Sequence, residues 1–269
     1  MGVAPRPVET PTHVAMVATA ASTCQPKAGL MSNIWRNFIQ SLCLPVCQLC
    51  GADALSADIC AGCFRDLPRP GRVCGQCAAE LPRGATCGGC QRRPPGWDSV
   101  LAPFRYAFPV DRLVQRLKYD GRLEHGRLLG LLLGRAARAR PRPDRILPVP
   151  LHADRWRERG FNQATELARP VARTLGVKME ERLLCRSRPT PPLWRLGPRD
   201  RRRLLGGAFE ARGDLAGARV AVVDDVLTSG ATADAIAGTL RLAGAVRIEI
   251  WAVARASQPR AGAQAPANT

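Results

Sequence analysis

The segment Asp224-Asp225-Val226-Leu227-Thr228-Ser229-Gly230-Ala231-Thr232 gathers two acids, three hydroxyls and a glycine into nine residues. Ionised carboxylates only accept hydrogen bonds, so an adjacent pair suits the vicinal hydroxyls of a ribose, or a Mg²⁺ shared with its phosphates. Thr228, Ser229 and Thr232 supply the opposite polarity, and Gly230 lets backbone approach a ligand closely. The apolar run 220–223 precedes the acids, and Ala233, Ile236, Leu240 and Ala243 follow at helical spacing. The segment therefore reads as a buried strand, a turn and a helix N-terminus whose amides, from Gly230, Ala231 and Thr232, favour an anion. An ordinary strand-to-helix turn needs one capping side chain and does not account for the whole set. Residue types and order together predict a holder for a phosphorylated ribose beyond the carboxyl end of a parallel strand.

Eight of the eleven cysteines form four C-x-x-C knuckles, Cys47/Cys50, Cys60/Cys63, Cys74/Cys77 and Cys87/Cys90. Each cysteine of the second half follows its counterpart by 27 residues, which predicts two copies of one small unit. Four thiolates per unit suit tetrahedral structural Zn²⁺ with no open position, giving two zinc sites. The knuckles are paired sequentially, 47/50 with 60/63 and 74/77 with 87/90, although an interleaved pairing fits the spacing equally. Disulfides are disfavoured because the N-terminus shows no basic region followed by a continuous apolar one, so a cytoplasmic, reducing compartment is expected. The longest apolar stretch, 128–133, is interrupted by Gly130 and is too short to span a bilayer. Cys24, Cys43 and Cys185 receive no role.

The formal charge is +18, and eight thiolates holding two Zn²⁺ would lower it to about +14. Scattered arginines read as a solvated surface, but Arg182, Arg186, Arg188, Arg195, Arg199, Arg201, Arg202 and Arg203 face a single acid, Asp200. That run, with Trp194 inside it, suits a phosphate backbone and a stacked base, as in single-stranded DNA. The domain reading is an N-terminal extension over 1–42, a double zinc ribbon over 43–93, an α/β domain over 97–256 and a small polar tail over 257–269. Within the α/β domain, 100–108 reads as extended and Val110, Leu113, Val114 and Leu117 have helical spacing. A longer helix is expected over 123–139, a short strand over 146–150 and a helix through 164–175, kinked at Pro170. The central strand is expected over 219–223, and Val246, Ile248, Ile250 and Ala252 alternate in a last one.

The acidic-pair loop resembles the PRPP-binding signature of the type I phosphoribosyltransferase fold, a parallel sheet flanked by helices. Three more segments narrow the resemblance: Leu117-Lys118-Tyr119-Asp120-Gly121, Leu147-Pro148-Val149-Pro150-Leu151-His152, and Arg159-Gly160-Phe161-Asn162-Gln163-Ala164. With the double ribbon, and in this order, they are similar to the ComF competence-protein family over about residues 43–256. The resemblance implies a phosphoribosyltransferase-like protein of DNA uptake and natural transformation, handling single strands beside a ComFA-type helicase. It assigns Asp224 and Asp225 to the ribose hydroxyls, Thr228, Ser229, Gly230, Ala231 and Thr232 to the 5′-phosphate, and Arg159 and Gly160 to the pyrophosphate side. Lys118 adds a further point charge, and His152 reads as a local hydrogen-bonding residue.

One stretch departs from the family pattern, because Leu193 and Leu204 stand where the family carries Gln and Asn. In related transferases this region is a mobile loop over the substrate, so leucines there argue against turnover while leaving binding intact. Two readings of function follow. The first is a binding or processing factor for DNA uptake. The second is an active, Mg²⁺-dependent phosphoribosyltransferase whose acceptor the residues do not identify. A zinc-ribbon adaptor with a decayed pocket is a third, opposed by the intact acidic loop. A glutamine amidotransferase is not expected, since Gly2 rather than cysteine follows Met1. No G-x-x-x-x-G-K-[ST] occurs, so ATP-driven movement of DNA is expected to come from a partner.

Overall fold

The computed structural model describes residues 46–54, 58–187 and 207–257. The expected N-terminal extension, the arginines from Arg188 to Arg203, Leu193, Leu204 and all but the first residue of the tail lie outside the described residues.

The 27-residue repeat is structural. Short antiparallel bridges Val46↔Asp53 and Val73↔Glu80 open the two units at equivalent positions. Each unit then forms a five-residue helix, α1 (Ala61–Arg65) and α2 (Gly88–Arg92). The N-cap of each is a cysteine whose sulfur accepts an amide hydrogen bond, from Cys63 to Cys60 and from Cys90 to Cys87, both at 3.4 Å. Hydroxyl and carboxylate caps are replaced here by thiols, which ties the helix start to the cysteine cluster.

Next come β1 (Ser99–Leu101), β2 (Phe104–Arg105), α3 (Val110–Tyr119), α4 (Leu123–Ala137), β3 (Arg145–Pro148), α5 (Ala153–Arg159) and α6 (Gln163–Leu175). The chain continues through β4 (Leu184–Arg186), β5 (Phe209–Ala211), β6 (Arg219–Leu227), α7 (Ala231–Leu242) and β7 (Arg247–Arg255). The main sheet is parallel throughout. Its order is β1, β7, β6, β3, with β2 also pairing with β7. β4 and β5 form a separate antiparallel pair.

Alternation along β6 divides the core. Ala221 and Val223 join one cluster with α3, α4, α6 and the first ribbon's Cys47, Ala54 and Ile59. Val220 and Val222 join the other with α7, β4, β5 and the second ribbon's Ala78. The two ribbons thus dock on opposite faces of one sheet. Helices α4 and α6 approach closely because Gly126, Gly130 and Gly134 fall on one stripe of α4. A β-carbon at Gly130 would lie 2.6 Å from the Leu167 carbonyl oxygen and 2.9 Å from Pro170 Cγ. Pro170 is buried in that seat and α6 continues through it.

Several expected boundaries shift for physical reasons. The extended stretch at 100–108 breaks into β1 and β2 around Pro103, which has no amide to donate. The central strand does not stop at Val223 but runs to Leu227, pairing Asp224 with Ala252 and Leu227 with Arg255. A ladder is made by backbone, so acidic side chains do not end it. The last strand is not half-buried, as alternation predicts, but covered on both faces from Ile248 to Arg255, because Trp251 and Val253 enter one core cluster while Ile248, Ile250 and Ala252 enter the other. Glu249 within it is buried and accepts from Trp251 Nε1 and Arg247 Nε, both at 3.0 Å.

Candidate functional site

The side chains of consecutive strand residues point to opposite faces, so Asp224 and Asp225 do not stand side by side. Asp225 turns toward α3. Its Oδ2 forms an ion pair with Lys118 Nζ at 2.8 Å, ionic rather than an aligned hydrogen bond, with 21% and 5% of the lysine and aspartate side chains exposed. Its Oδ1 accepts the amide of Val226 at 2.6 Å. Burial opposes the Lys118 ammonium, but the charges of Asp225 and Asp224 outweigh it and raise the lysine pKa.

Asp224 turns toward the other face, is half-buried, and accepts the Asp225 amide at 2.8 Å through Oδ1. Burial and the neighbouring charge of Asp225 raise its pKa to about 7, against the opposing pull of Lys118 and Arg186. Arg186 on β4 lies over the Phe209 ring at 5.5 Å and contributes charge to this side. Asp224 is therefore the acid of the pair without an ion-pair partner among the described residues. A Mg²⁺ bridged between both aspartates does not fit this arrangement, because Lys118 already supplies the cation at Asp225.

The loop beyond β6 turns at Gly230, whose φ of +77° belongs to the left-handed region. Its Cα faces Trp97, whose ring would lie 2.9 Å from an added β-carbon. Helix α7 starts at Ala231 without a side-chain cap on its first residue's flank, leaving first-turn amides available to an anion. Ser229 Oγ accepts the Ala231 amide only at 3.4 Å, and Thr228 is exposed while Thr232 is half-buried. A cavity of about 220 Å³ opens against Ser229, Gly230 and Ala231.

That cavity is walled on its other side by the second ribbon, at Cys77, Cys90 and Pro94. Arg255 joins the two walls, donating through Nε to the Cys77 carbonyl at 2.8 Å and through one terminal nitrogen to the carbonyls of Leu227 and Thr228. Trp97 Nε1 donates to the Gln76 carbonyl at 2.6 Å, and the Gly96 amide to Asp234 Oδ1 at 2.8 Å. Arg255 and Trp97 carry no local motif, whereas Arg186 belongs to the arginine run noted in the sequence and stands here on the Asp224 side of the sheet. The one signal that could have singled out Arg255 is its place directly after the apolar run 250–254.

Arg159 donates to Gln163 Oε1 at 3.3 Å and lies 5.5 Å over the Tyr119 ring, one residue from Lys118. Gly160 closes α5 in the left-handed conformation at φ +75°. Asn162 caps α6 and also donates to the Val149 carbonyl at 3.0 Å, fixing the turn after β3. His152 caps α5, accepting the Asp154 amide at Nδ1, which is the local role its position predicts.

The eight knuckle cysteines form two sets, Cys47, Cys50, Cys60, Cys63 and Cys74, Cys77, Cys87, Cys90, each with its ligand atoms within 4.8 Å of one another. The pairing is sequential rather than interleaved. Cys50 and Cys60 sulfurs are 3.7 Å apart and Cys77 and Cys87 sulfurs 3.6 Å apart. A tetrahedron with Zn–S of about 2.3 Å has edges of about 3.8 Å, so both sets fit one Zn²⁺ each and are far too wide for a disulfide. At Cys47 burial opposes the thiolate, yet amides of Cys60, Cys50 and Leu49 bring its pKa down to about 6. Cys185 stands apart and donates to the Arg182 carbonyl. No helix among the described residues is long and apolar enough to cross a membrane.

No family model matches the chain. It is 35% identical over 221 residues to DNA utilization protein YhgH of Salmonella typhi, covering 78% of this chain and 96% of that protein. It is 35% identical over 209 residues to Competence protein F of Haemophilus influenzae, covering 74% and 90% respectively. A purine phosphoribosyltransferase from Pyrococcus horikoshii Ot3 superposes with a TM-score of 0.31 and 17% identity over 48% of this chain and 78% of that one, which adds nothing to the assignment. On the two sequence relatives, which it matches over most of their length, the chain belongs to the competence protein F and DNA utilization protein YhgH family.

Proposed function

We propose that the chain holds a phosphorylated pentose at the corner formed by β6 and α7, and does so in DNA uptake, in contact with single-stranded DNA. The observation that carries the reading is the junction itself. β6 carries Asp224 three residues before its end, without an ion-pair partner among the described residues. Three residues past that end the chain turns at Gly230 into a helix N-terminus with no side-chain cap, beside a cavity that Ser229, Gly230 and Ala231 line and Asp224 does not. Asp224 accepts from ribose hydroxyls, Asp225 acts through its ion pair with Lys118 to fix the strand end, and 228–232 receive the phosphate. Mg²⁺ enters only as a companion of a ligand's own phosphates. Arg159 and Gly160 serve a pyrophosphate-bearing ligand. The two cysteine sets are structural zinc sites, and the names of the relatives supply the DNA context.

Calorimetry tests the pocket. Ribose 5-phosphate, and PRPP with and without Mg²⁺, are titrated into the wild type, Asp224→Asn and Thr228→Val/Thr232→Val. Binding by the wild type and at least tenfold weakening in both variants is expected, since each loses a hydrogen bond to a charged or polyhydroxyl ligand. Equal heats in all three proteins reject the site.

A further inference from the structure

Helix α3 buries Val110, Leu113, Val114 and Leu117 on one face. Its other face, with Phe108 two residues before its start, presents Arg112, Gln115, Arg116 and Tyr119 along one open groove of about 440 Å³. Phe108 is 76% exposed and Tyr119 73% exposed, which is unusual for rings of that size. Arg112 and Arg116 are exposed between them, and Asp120 is the one acid lining the groove. The row continues onto α5. Arg159 lies 5.5 Å over the Tyr119 ring, and Trp156, one turn earlier on the same helix, is 55% exposed.

Single exposed apolar residues are common and need no explanation. Two aromatic rings interleaved with guanidinium groups along a single groove, with a third ring exposed on the helix whose Arg159 stacks over Tyr119, are a different object. We propose that this stripe is a platform for single-stranded DNA, with bases stacking on Phe108, Tyr119 and Trp156 and phosphates meeting Arg112 and Arg116. Rings of this kind need an uncovered base face, which a duplex does not offer and a single strand does. Interleaved arginines suit the regular charge of a phosphate backbone, and the chain's +18 agrees in sign. The row ends beside the pentose corner, because Tyr119 follows the lysine that grips Asp225. The inference takes from the proposed function only that the strand is single. It locates the contact on described residues, and takes nothing from the arginine run of 188–203, which lies outside them.

The test is fluorescence anisotropy of a labelled oligothymidylate and of an abasic oligomer of equal length and charge, with zinc-loaded protein at several salt concentrations. Phe108→Ala/Tyr119→Ala should weaken the thymidylate by about tenfold or more and leave the weaker abasic binding unchanged. Arg112→Gln/Arg116→Gln should reduce the log–log salt slope by about 1.4 for both oligomers. Equal wild-type affinity for the two oligomers, or an unchanged thymidylate affinity in the aromatic variant, overturns the proposal. So does light scattering that shows a wild-type dimer dissolved by the aromatic substitutions, which would assign the face to a second copy. Ribose 5-phosphate heats, measured on the same samples, keep the two readings separate: their absence in wild type sinks the pentose site and not the platform. Unchanged urea midpoints in both variants establish that lost binding is not lost folding.

Discussion

Asp224→Asn should make the protein more stable and a poorer binder at once. Asp224 is raised from its ordinary 3.8 to about 7, first by burial and then by the charge of Asp225. The folded chain therefore holds this proton more tightly than the unfolded chain. Its contribution to stability is full below about pH 4 and is lost as pH rises through about 7. At roughly 1.4 kcal/mol per tenfold change in proton affinity, ionising Asp224 in the folded state costs at most about 4 kcal/mol. Asp224 is half-buried and its shift is set mainly by burial, so about 3–4 kcal/mol is the working expectation at pH 8. Asparagine removes that charge and keeps an oxygen for the Asp225 amide, which Asp224 Oδ1 now receives at 2.8 Å. Urea unfolding of zinc-loaded protein at pH 5.5 and pH 8 provides the measurement. The variant should exceed wild type by about 3–4 kcal/mol at pH 8, with the gap narrowing by roughly 1–2 kcal/mol at pH 5.5. A variant that is no more stable at pH 8, or a gap independent of pH, would refute the argument that this acid is held against its own ionisation.

Three other perturbations follow from the geometry. Lys118→Met strands the buried Asp225 carboxylate and should cost about 3–5 kcal/mol in urea unfolding, whereas a surface lysine would cost almost nothing. Gly130→Ala drives a methyl group against the Leu167 carbonyl and Pro170, so a loss of about 1–3 kcal/mol is expected, and an unchanged urea midpoint would mean α4 and α6 are not in this contact. Cys60→Ser and Cys87→Ser should each remove one of two zinc ions by metal analysis. Only Cys87→Ser should also weaken ribose 5-phosphate binding, because only the second ribbon is tied to the loop through Arg255.

The legible part of the chain was the part written in local pattern. The cysteine spacing gave the two clusters, and hydrophobic period gave α3, α4, α6 and the apolar half of β6, since burial on one face leaves a period and burial on two leaves a run. The acidic loop was legible as chemistry but not as geometry. Adjacent letters suggest adjacent carboxylates, while strand alternation sends Asp224 and Asp225 to opposite faces and gives one of them to Lys118, 107 residues away. β4 and β5 were not read because three-residue strands carry too few positions to show alternation. Gly130 was read as an interruption of an apolar stretch. Its meaning lies in the i, i+4 spacing to Gly126 and Gly134, which makes a groove for the helix bearing Pro170.

Two units with the same spacing have come to do different work, and their partners explain how. The first ribbon docks through Arg127 to Asp58 and through Gln48 to the Glu124 carbonyl, so its contacts are to the ends and surface of α4. The second reaches the loop after β6 by two routes, Trp97 against Gly230 and Arg255 across Cys77, Leu227 and Thr228. Arg255 is 8% exposed, and burial lowers its pKa while nearby cysteine sulfurs raise it. A guanidinium remains charged in any case and is costly to bury without partners, so the carbonyls it gathers are not interchangeable surface contacts. The loop's left-handed turn at Gly230 is held against an indole that is itself anchored to ribbon backbone at Gln76. Metal in the second cluster would then set the position of the loop without touching a ligand. The cysteine repeat supplies two folded modules, and the residues between and beyond them decide which one belongs to the site.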